Sequence, residues 1–321
     1  MIGDAGPWGT GPFVLKEGVS LLDKRSPTVT MVPNTNYWNK ARTPKVTIKF
    51  DNIISKAEAL EEVAKGGKVD IVTELTPAEA VALKGNKNAR VVESKAKTVL
   101  VGVFNENKAG SIWTDIAVRK AINNAVDKAM VIKEGSLGYG SQMPSMITKG
   151  SYAYDASLKA YAYTPAKAKP VLAQHGVKSL VIASDEGHKA IADAVAKSLA
   201  ASGVTATVDT SGKGDAWDIK LVEHFDWSPN YPYGVVFREF FGKDGGFRNM
   251  PEDAGFEAIA QKIINNPTKQ EGFTKQMDRY VHDQANVLFL YAPSKLYAVS
   301  NKVNFTPYRT TVLELAETSI K

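Results

Sequence analysis

The sequence predicts an α/β fold with mixed sheets flanked by helices. Two observations lead to this prediction. Short apolar strands alternate with amphipathic helices along most of the chain, and glycine or proline marks many of the helix ends. The chain has 321 residues, which exceeds the usual size of one domain, so we expect two domains.

Strands and helices alternate in the first half: strand 46–50, helix 55–65, strand 69–72, a helix from Thr76, strand 99–104, and a helix from Thr114 or Asp115. Gly66 is expected to end the first helix, because glycine adopts the left-handed conformation without steric cost. Thr76 is expected to cap the next helix. Pro77 suits its first position, and Glu79 can complete a capping box.

The second half continues the alternation: helix 164–176, strand 180–183, a helix through 191–199 that Gly203 ends, strands 204–208 and 217–222, helices near 256–263 and 273–281, and strands 287–291 and 296–300. We interpret the last two strands as a pair. Residues 140–163 carry little apolar periodicity, which predicts an ordered surface loop and not a linker.

Composition excludes several classes of function. The chain contains no cysteine, and none of its four histidines has metal-ligand spacing on one helix, so we expect no metal site and no cofactor. The net charge is +6, but Lys and Arg are scattered among acidic residues, so no nucleic-acid partner is expected. No apolar run approaches the roughly 18 residues of a membrane span, so none is expected.

A series of motifs then resembles the family 5 extracellular solute-binding proteins, the dipeptide-, oligopeptide- and nickel-binding type of ABC importers. Gly9–Phe13 resembles the family's Gly-Thr-Gly-Pro-aromatic turn, and Asn34–Trp38 its Asn-x-x-Tyr-Trp. The strongest match is Phe104-Asn105, then Asp115, then 118–128 with Val-Arg-x-Ala and Asp-Lys. Further matches follow in order to about residue 308.

This resemblance implies a two-lobed fold similar to type II periplasmic binding proteins. Residues 1–104 and 301–321 would form the remainder of lobe I, and 105–300 would form lobe II. The family carries an additional segment before the Gly-Thr-Gly-Pro turn, so we expect an N-terminally truncated chain. The start has no basic and apolar regions typical of a signal peptide, although the resemblance implies a periplasmic or extracellular-surface location.

The implied function is substrate binding for an ABC importer, with a small solute and the transporter's membrane subunits as partners. Hinge closure would capture a peptide-like or other solute between the lobes. By resemblance, the stretch after Trp217-Asp218-Ile219 reaches into this cleft. The predicted ligand-binding residues are Asn105, Tyr139, Phe225, Asp226, Trp227, Ser228, Asn230, Tyr231 and Tyr233.

Each of these predictions has a structural alternative. The aromatic residues can simply pack a loop, Asn105 can cap a turn, and Arg119 is expected to form a structural ion pair. Ser228 and Tyr231 stand where peptide-binding relatives carry aspartates, so the resemblance does not fix a peptide ligand.

No catalytic residues are assigned, and we expect a protein that is not an enzyme. Two alternatives remain open. One is an esterase-like hydrolase, because Ser228, Asp226 and His224 lie close in sequence, although that alone is not triad geometry. The other is a folded fragment that binds no ligand.

Overall fold

The computed structural model describes residues 9–19, 24–95, 98–225, 232–307 and 313–321. The strands, in chain order, are β1 (Phe13–Glu17), β2 (Thr28–Pro33), β3 (Ile48–Asp51), β4 (Ile71–Val72), β5 (Ala89–Ser94), β6 (Thr98–Phe104), β7 (Gly140–Gln142), β8 (Ser179–Ala183), β9 (Thr205–Asp209), β10 (Ile219–Phe225), β11 (Val287–Pro293), β12 (Lys295–Ser300), β13 (Val303–Asn304) and β14 (Ser319–Ile320).

The helices are α1 (Lys56–Lys65), α2 (Pro77–Ala82), α3 (Ile116–Ala125), α4 (Lys128–Met130), α5 (Pro165–Gln174), α6 (Lys189–Leu199), α7 (Arg238–Phe241), α8 (Ala254–Asn265) and α9 (Gln270–Asp283). The predicted caps are confirmed. Gly66 ends α1 with a φ of 74°, and both hydrogen bonds of the Thr76–Glu79 capping box are present. Asp115, the second of the two proposed caps, begins α3 by accepting a hydrogen bond from the Ala117 N–H.

The chain forms two compact units. Unit 1 comprises the described residues within Met1–Ser94, Lys295–Tyr308 and Val312–Lys321, and unit 2 comprises those within Lys95–Ser294. Compared with the division predicted at residues 104 and 300, β6 joins unit 2 and β12 joins unit 1. Strand pairing is the reason, because β6 pairs with β10 and β11, whereas β12 pairs with β4 and β5. That the units are the two lobes stays a prediction.

Unit 1 contains small sheets. Strands β1, β2 and β3 form an antiparallel sheet, and β12 lies between β4 and β5 in a second one. A small core cluster is built on Tyr297, Val299, Val303 and Phe305. By contrast, the strands of the first sheet are largely half-buried or exposed.

Unit 2 is built on a six-stranded sheet in the order β7-β11-β6-β10-β8-β9. Alternate side chains of the central strand β6 enter different cores: Leu100 and Phe104 belong to one cluster, whereas Val99, Val101 and Val103 belong to the other. Successive side chains of a strand point to opposite faces, so both faces of this sheet are covered. The continuous apolar run of β6 is the sequence signal of this double burial.

The predicted pairing of strands 287–291 and 296–300 is wrong. Strand β11 pairs with β6 and β7, whereas β12 belongs to a different sheet. The two strands are separated only by Ser294, and a hairpin commonly needs at least two turn residues. The chain therefore continues from one sheet to the other instead of folding back.

The tyrosine-rich segment 140–163 is irregular, as predicted, apart from the short strand β7. It does more than cover the surface, however. Met143, Met146 and Ile147 are buried in the second core cluster, and Tyr152 and Tyr161 pack against it. The segment is therefore an ordered part of the unit 2 core.

Candidate functional site

The candidate site lies at the carboxyl ends of the unit 2 strands. Strands β8, β9 and β10 are parallel, and β11 runs in the same direction because both β10 and β11 are antiparallel to β6. In open α/β sheets, ligands commonly bind outside the carboxyl ends of the strands. A ligand site is therefore expected at this end of the sheet.

The strands do not finish at the same level. Only Ile219 and Lys220, the first two residues of β10, pair with β8, at Ile182 and Ala183. Strand β10 then continues past the end of β8 as far as Phe225, which pairs with Thr98. The result is a step in the sheet, with the ends of β8 and β9 as its floor and the protruding part of β10 as its side.

A pocket of about 280 Å³ occupies this step, and we call it the step pocket. Its lining includes the acidic side chains of Asp185, Glu186 and Asp209, the basic side chains of Lys213 and Lys220, and half-buried Trp217. The hydrogen bonds of Asp209 with Ser211 lower the pKa of its carboxyl, which keeps this acid ionised. The pocket therefore presents charges of both signs beside an aromatic ring.

Local hydrogen bonds fix the two loops that form the pocket. The Ser184 N–H donates to the Asp209 carbonyl at 3.0 Å, and the Thr210 hydroxyl donates to a Glu186 carboxylate oxygen. The Asn105 amide donates at 3.0 Å to the carbonyls of both Asp215 and Trp217. The buried Asn105 side chain thus supports the β9–β10 loop, a role that neither sequence interpretation of this residue anticipated. Its ligand contact stays a prediction.

An imidazole joins the two sides of the step. His188 follows β8, and its Nδ1 lies 2.8 Å from Oδ1 of Asp185, while its Nε2 lies 3.0 Å from Oε2 of Glu223 on β10. The hydrogen bond to Glu223, followed by the contribution of Asp185, raises the pKa of His188 above its usual 6.5 against the effect of burial. The sequence around His188 does not reveal it as a site residue, because its partner Glu223 is 35 residues away.

Most of the predicted ligand-binding residues follow the end of β10. Asp226, Trp227, Ser228, Asn230 and Tyr231 lie outside the described residues. For Phe225 the structure describes the backbone pairing with Thr98 at the end of β10.

The two other predicted aromatic residues are described. Tyr233 is only 8% exposed and belongs to the second core cluster, where its ring centroid lies 6.4 Å from that of Phe256. Tyr139 is half-buried and directly precedes β7, whose Gly140 pairs with Pro293 at the carboxyl end of β11. It thus lies at the same end of the sheet as the end of β10, but three strands away from it. Ligand contacts of both residues stay predictions.

Two other sequence interpretations can be compared with the structure. Arg119 is structural, as predicted. Its guanidinium donates to the carbonyls of Trp113 and Gln284, and Nη1 lies 3.4 Å from Oε1 of Glu106. The second interpretation is the esterase-like alternative, which groups His224 with Ser228 and Asp226. The ring of His224 packs edge-on against the rings of Phe240 and Phe247, and burial lowers the pKa of His224.

Within the described part of the chain, no group of three or more His, Asp or Glu side chains is arranged to hold a metal ion. None of its helices has the length and apolarity that a membrane crossing requires.

Comparison with known proteins identifies the family. The family model described as "Bacterial extracellular solute-binding proteins, family 5 Middle" matches residues 3–248. The chain belongs to this family. Two curated relatives are each 26% identical: heme-binding protein A of Haemophilus influenzae, over 88% of this chain and 54% of the relative, and the probable D,D-dipeptide-binding periplasmic protein DdpA of Escherichia coli K12, over 92% and 59%. The chain thus spans somewhat more than half the length of these relatives.

Solved structures show the same fold. The ABC transporter substrate-binding protein CtaP of Listeria monocytogenes matches with a TM-score of 0.80 at 15% identity, covering 97% of this chain and 67% of the other. NikA of Brucella suis in complex with Fe(III)-EDTA matches with a TM-score of 0.79 at 18% identity, covering 98% and 68%. The predicted α/β fold similar to type II periplasmic binding proteins is therefore confirmed.

Proposed function

We propose that this chain is the substrate-binding component of an ABC importer and captures a small solute at the step pocket. The observation that supports this most directly is a mixed-charge pocket of about 280 Å³ at the carboxyl ends of β8 and β9, in a chain of the solute-binding family. Fixed polar groups beside an apolar surface are what a small-molecule site requires.

The segment that follows β10 is proposed to complete the site. Phe225 ends the protruding strand, so the chain enters 226–231 from the far end of the step. Trp227 and Tyr231 would supply rigid apolar contact, and Asp226 would pair with a cationic group of the solute. Together with the acids and lysines of the step pocket, these residues suit a solute that carries both positive and negative groups.

The remaining parts of the proposal follow from the family. Hinge closure of two lobes would retain the solute, and the membrane subunits of the importer would receive it in the periplasm or at the outer cell surface. Capture of this kind needs no bond-making step, so we propose a protein that is not an enzyme. The relatives named above are solute-binding proteins, and the comparisons give the hydrolase and inactive-fragment alternatives no support.

A panel of three probes tests the proposal: D-alanyl-D-alanine, haemin and the Ni(II) complex of L-histidine, chosen from the names of relatives and neighbours. We expect one probe to raise the melting temperature, because a ligand at about 100 times its Kd stabilises the folded state by about 2.7 kcal/mol. Calorimetry then gives the affinity, which Trp227→Ala should weaken. The matched control is Trp38→Ala, since Trp38 is a largely exposed tryptophan in unit 1.

The opposing outcomes are equally specific. Absence of binding by all three probes at millimolar concentration would contradict the proposed site for these solute classes. Hydrolysis of a p-nitrophenyl ester that Ser228→Ala abolishes, with the melting temperature unchanged, would favour the hydrolase instead.

A further inference from the structure

The imidazole of His188 lies between two carboxylates from different elements. Nδ1 lies 2.8 and 3.0 Å from the two oxygens of Asp185, which belongs to the turn after β8. Nε2 lies 3.0 Å from Oε2 of Glu223, on the part of β10 that extends past β8. We call this arrangement the His188 bridge. The side chains of His188 and Glu223 are 21% and 23% exposed, so water only partly screens their contact.

The geometry of the bridge specifies its protonation state. A neutral imidazole has one N–H donor, whereas the imidazolium has two, and an ionised carboxylate can only accept. Both ring nitrogens of His188 face carboxylate oxygens at hydrogen-bond distance, so both contacts are satisfied only when the ring is charged. Loss of one proton would turn a nitrogen lone pair towards an anion.

Among the described residues, Glu223 and Asp185 are the charged groups that act on this ring. The turn after β8 contributes Asp185 and Glu186, and the Glu186 carboxylate accepts from Thr210. Strand β10 contributes Glu223. Burial raises the pKa of the Tyr291 phenol on β11, and the negative charge of Glu223 is a second, smaller cause of that rise. At the start of α6, Lys189 is paired with Asp193 at 2.6 Å. The groups closest to His188 are therefore acidic, and they favour its charged form.

The bridge joins structures that form the site. Asp185 lines the step pocket, and its Oδ1 also accepts the His188 N–H at 2.9 Å. Glu223 lies two residues after Leu221, which lines the same pocket, so the two side chains share a face of β10. Breaking the bridge would release the turn after β8 from the protruding strand that leads into 226–231.

We propose that His188 is a pH-dependent positioning residue, whose imidazolium fixes the side of the step pocket so that solute affinity falls as the ring deprotonates. The affinity part of this proposal rests on the proposed function. The positional part concerns the protein alone, and the two parts can be tested separately.

The first experiment needs no solute. In this chain with ¹⁵N-labelled histidine, the ring nitrogen shifts of His188 report its charge between about pH 5.5 and about pH 9. Amide exchange, corrected for its intrinsic pH dependence, is followed over 221–225. We expect protection to fall about tenfold as His188 deprotonates, since one charge-assisted hydrogen bond contributes on this scale. His188→Gln should show the low protection at every pH.

The control variant is His175→Gln. His175 lies at the end of α5, 3.6 Å from Asp115, and is not part of the bridge, so its exchange profile should match the wild type. A second variant, Glu223→Gln, should lower the pH at which His188 titrates, and it keeps the test decisive if His188→Gln does not fold. Identical pH profiles in the wild type and both bridge variants, or a neutral His188 at the acidic end, would overturn the proposal.

The second experiment measures the affinity for D-alanyl-D-alanine over the same pH range. The wild type should lose about tenfold in affinity across the titration of His188, and His188→Gln should bind weakly with a flat profile. An unchanged pH profile in His188→Gln would refute the link between the bridge and capture. If this dipeptide does not bind at all, the result counts against the proposed solute class and the link to its affinity, whereas the exchange experiment still decides the positional role.

Discussion

At the scale of single residues, Asp278 shows how burial sets a pH dependence. This acid on α9 is completely buried, and its Oδ1 accepts a hydrogen bond from the Met146 N–H at 3.2 Å. Burial raises the pKa of its carboxyl from 3.8 to about 7. A folded-state pKa above the unfolded one means that the contribution of Asp278 to stability is complete below about pH 3.8 and is lost as the pH rises to about 7.

We therefore predict that Asp278→Asn flattens this part of the pH profile. Asparagine keeps the oxygen that accepts from Met146 and removes the cost of a buried charge. At about pH 8 the variant should be more stable than the wild type by roughly 1–3 kcal/mol, and the difference should shrink towards acidic pH. Urea unfolding at several pH values measures this difference. Glu271→Gln, an exposed change on the same helix beside Lys275, should leave the profile unaltered. A constant offset at every pH would contradict the prediction.

Residues also differ in how far sequence alone could predict their roles. The local pattern around Arg119 indicated a structural ion pair, and the structure agrees. Asp185 and His188 are close in the chain, so a contact between them was within reach of sequence reasoning. The second contact, to Glu223, depends on β8 and β10 being neighbours in a sheet, and that pairing is set by packing across the whole unit.

At the scale of elements, helix ends were predicted better than strand partners. Caps are local, so Gly66 and the Thr76–Glu79 capping box follow from adjacent residues. Strand pairing is not local. The apolar runs of β11 and β12 look alike, yet they belong to different sheets.

The centre of β6 provides a test of the six-stranded sheet. Gly102 pairs with Leu221 of β10 and Leu288 of β11, and a Cβ at this position would lie 2.6 Å from Cγ2 of Ile219 and 3.1 Å from Cβ of Leu288. We predict that Gly102→Ala destabilises the protein by about 1–3 kcal/mol, because the close-packed neighbours must move.

The shift of the urea midpoint measures this cost, provided that the slope of the unfolding free energy against urea concentration is unchanged. Gly272→Ala is the matched control, since Gly272 lies in α9 with no atom within 4 Å of the added carbon. There the same substitution should stabilise by roughly 0.5–1 kcal/mol through helix propensity. A neutral Gly102→Ala would mean that the strands around β6 are packed less tightly than described.

At the scale of the whole molecule, recognition of the fold came from the order of several modest motifs along most of the chain. The order is informative because unrelated short motifs rarely occur by chance in the same order as in a family. The family match over residues 3–248 agrees with this recognition. The division into units was harder to place. Strands β6 and β12 each adjoin a predicted boundary, and only their pairing shows to which unit they belong.

The two units differ in how much apolar surface they bury, and this difference predicts the order of unfolding. Unit 2 contains two large clusters of buried side chains on the two faces of its sheet. Among the described residues, unit 1 has fewer buried apolar side chains: the cluster around Tyr297, and a group on and beside α1 and α2 that includes Val63, Leu75 and Ala80. Its strands β1–β3 are largely half-buried or exposed. Burial of apolar surface is the main favourable term in folding, and chains with more than one domain often unfold in more than one step.

We predict that unit 1 unfolds at a lower urea concentration than unit 2. Hydrogen exchange detected by mass spectrometry, after equilibration in increasing urea, should show loss of protection in β5 and β12 before β6, β10 and β11. Gly102→Ala should then lower the second transition and leave the first nearly unchanged, because Gly102 lies in unit 2. Simultaneous loss of protection in all five strands would show that the chain unfolds as one cooperative body, and the smaller core of unit 1 would then not set its stability.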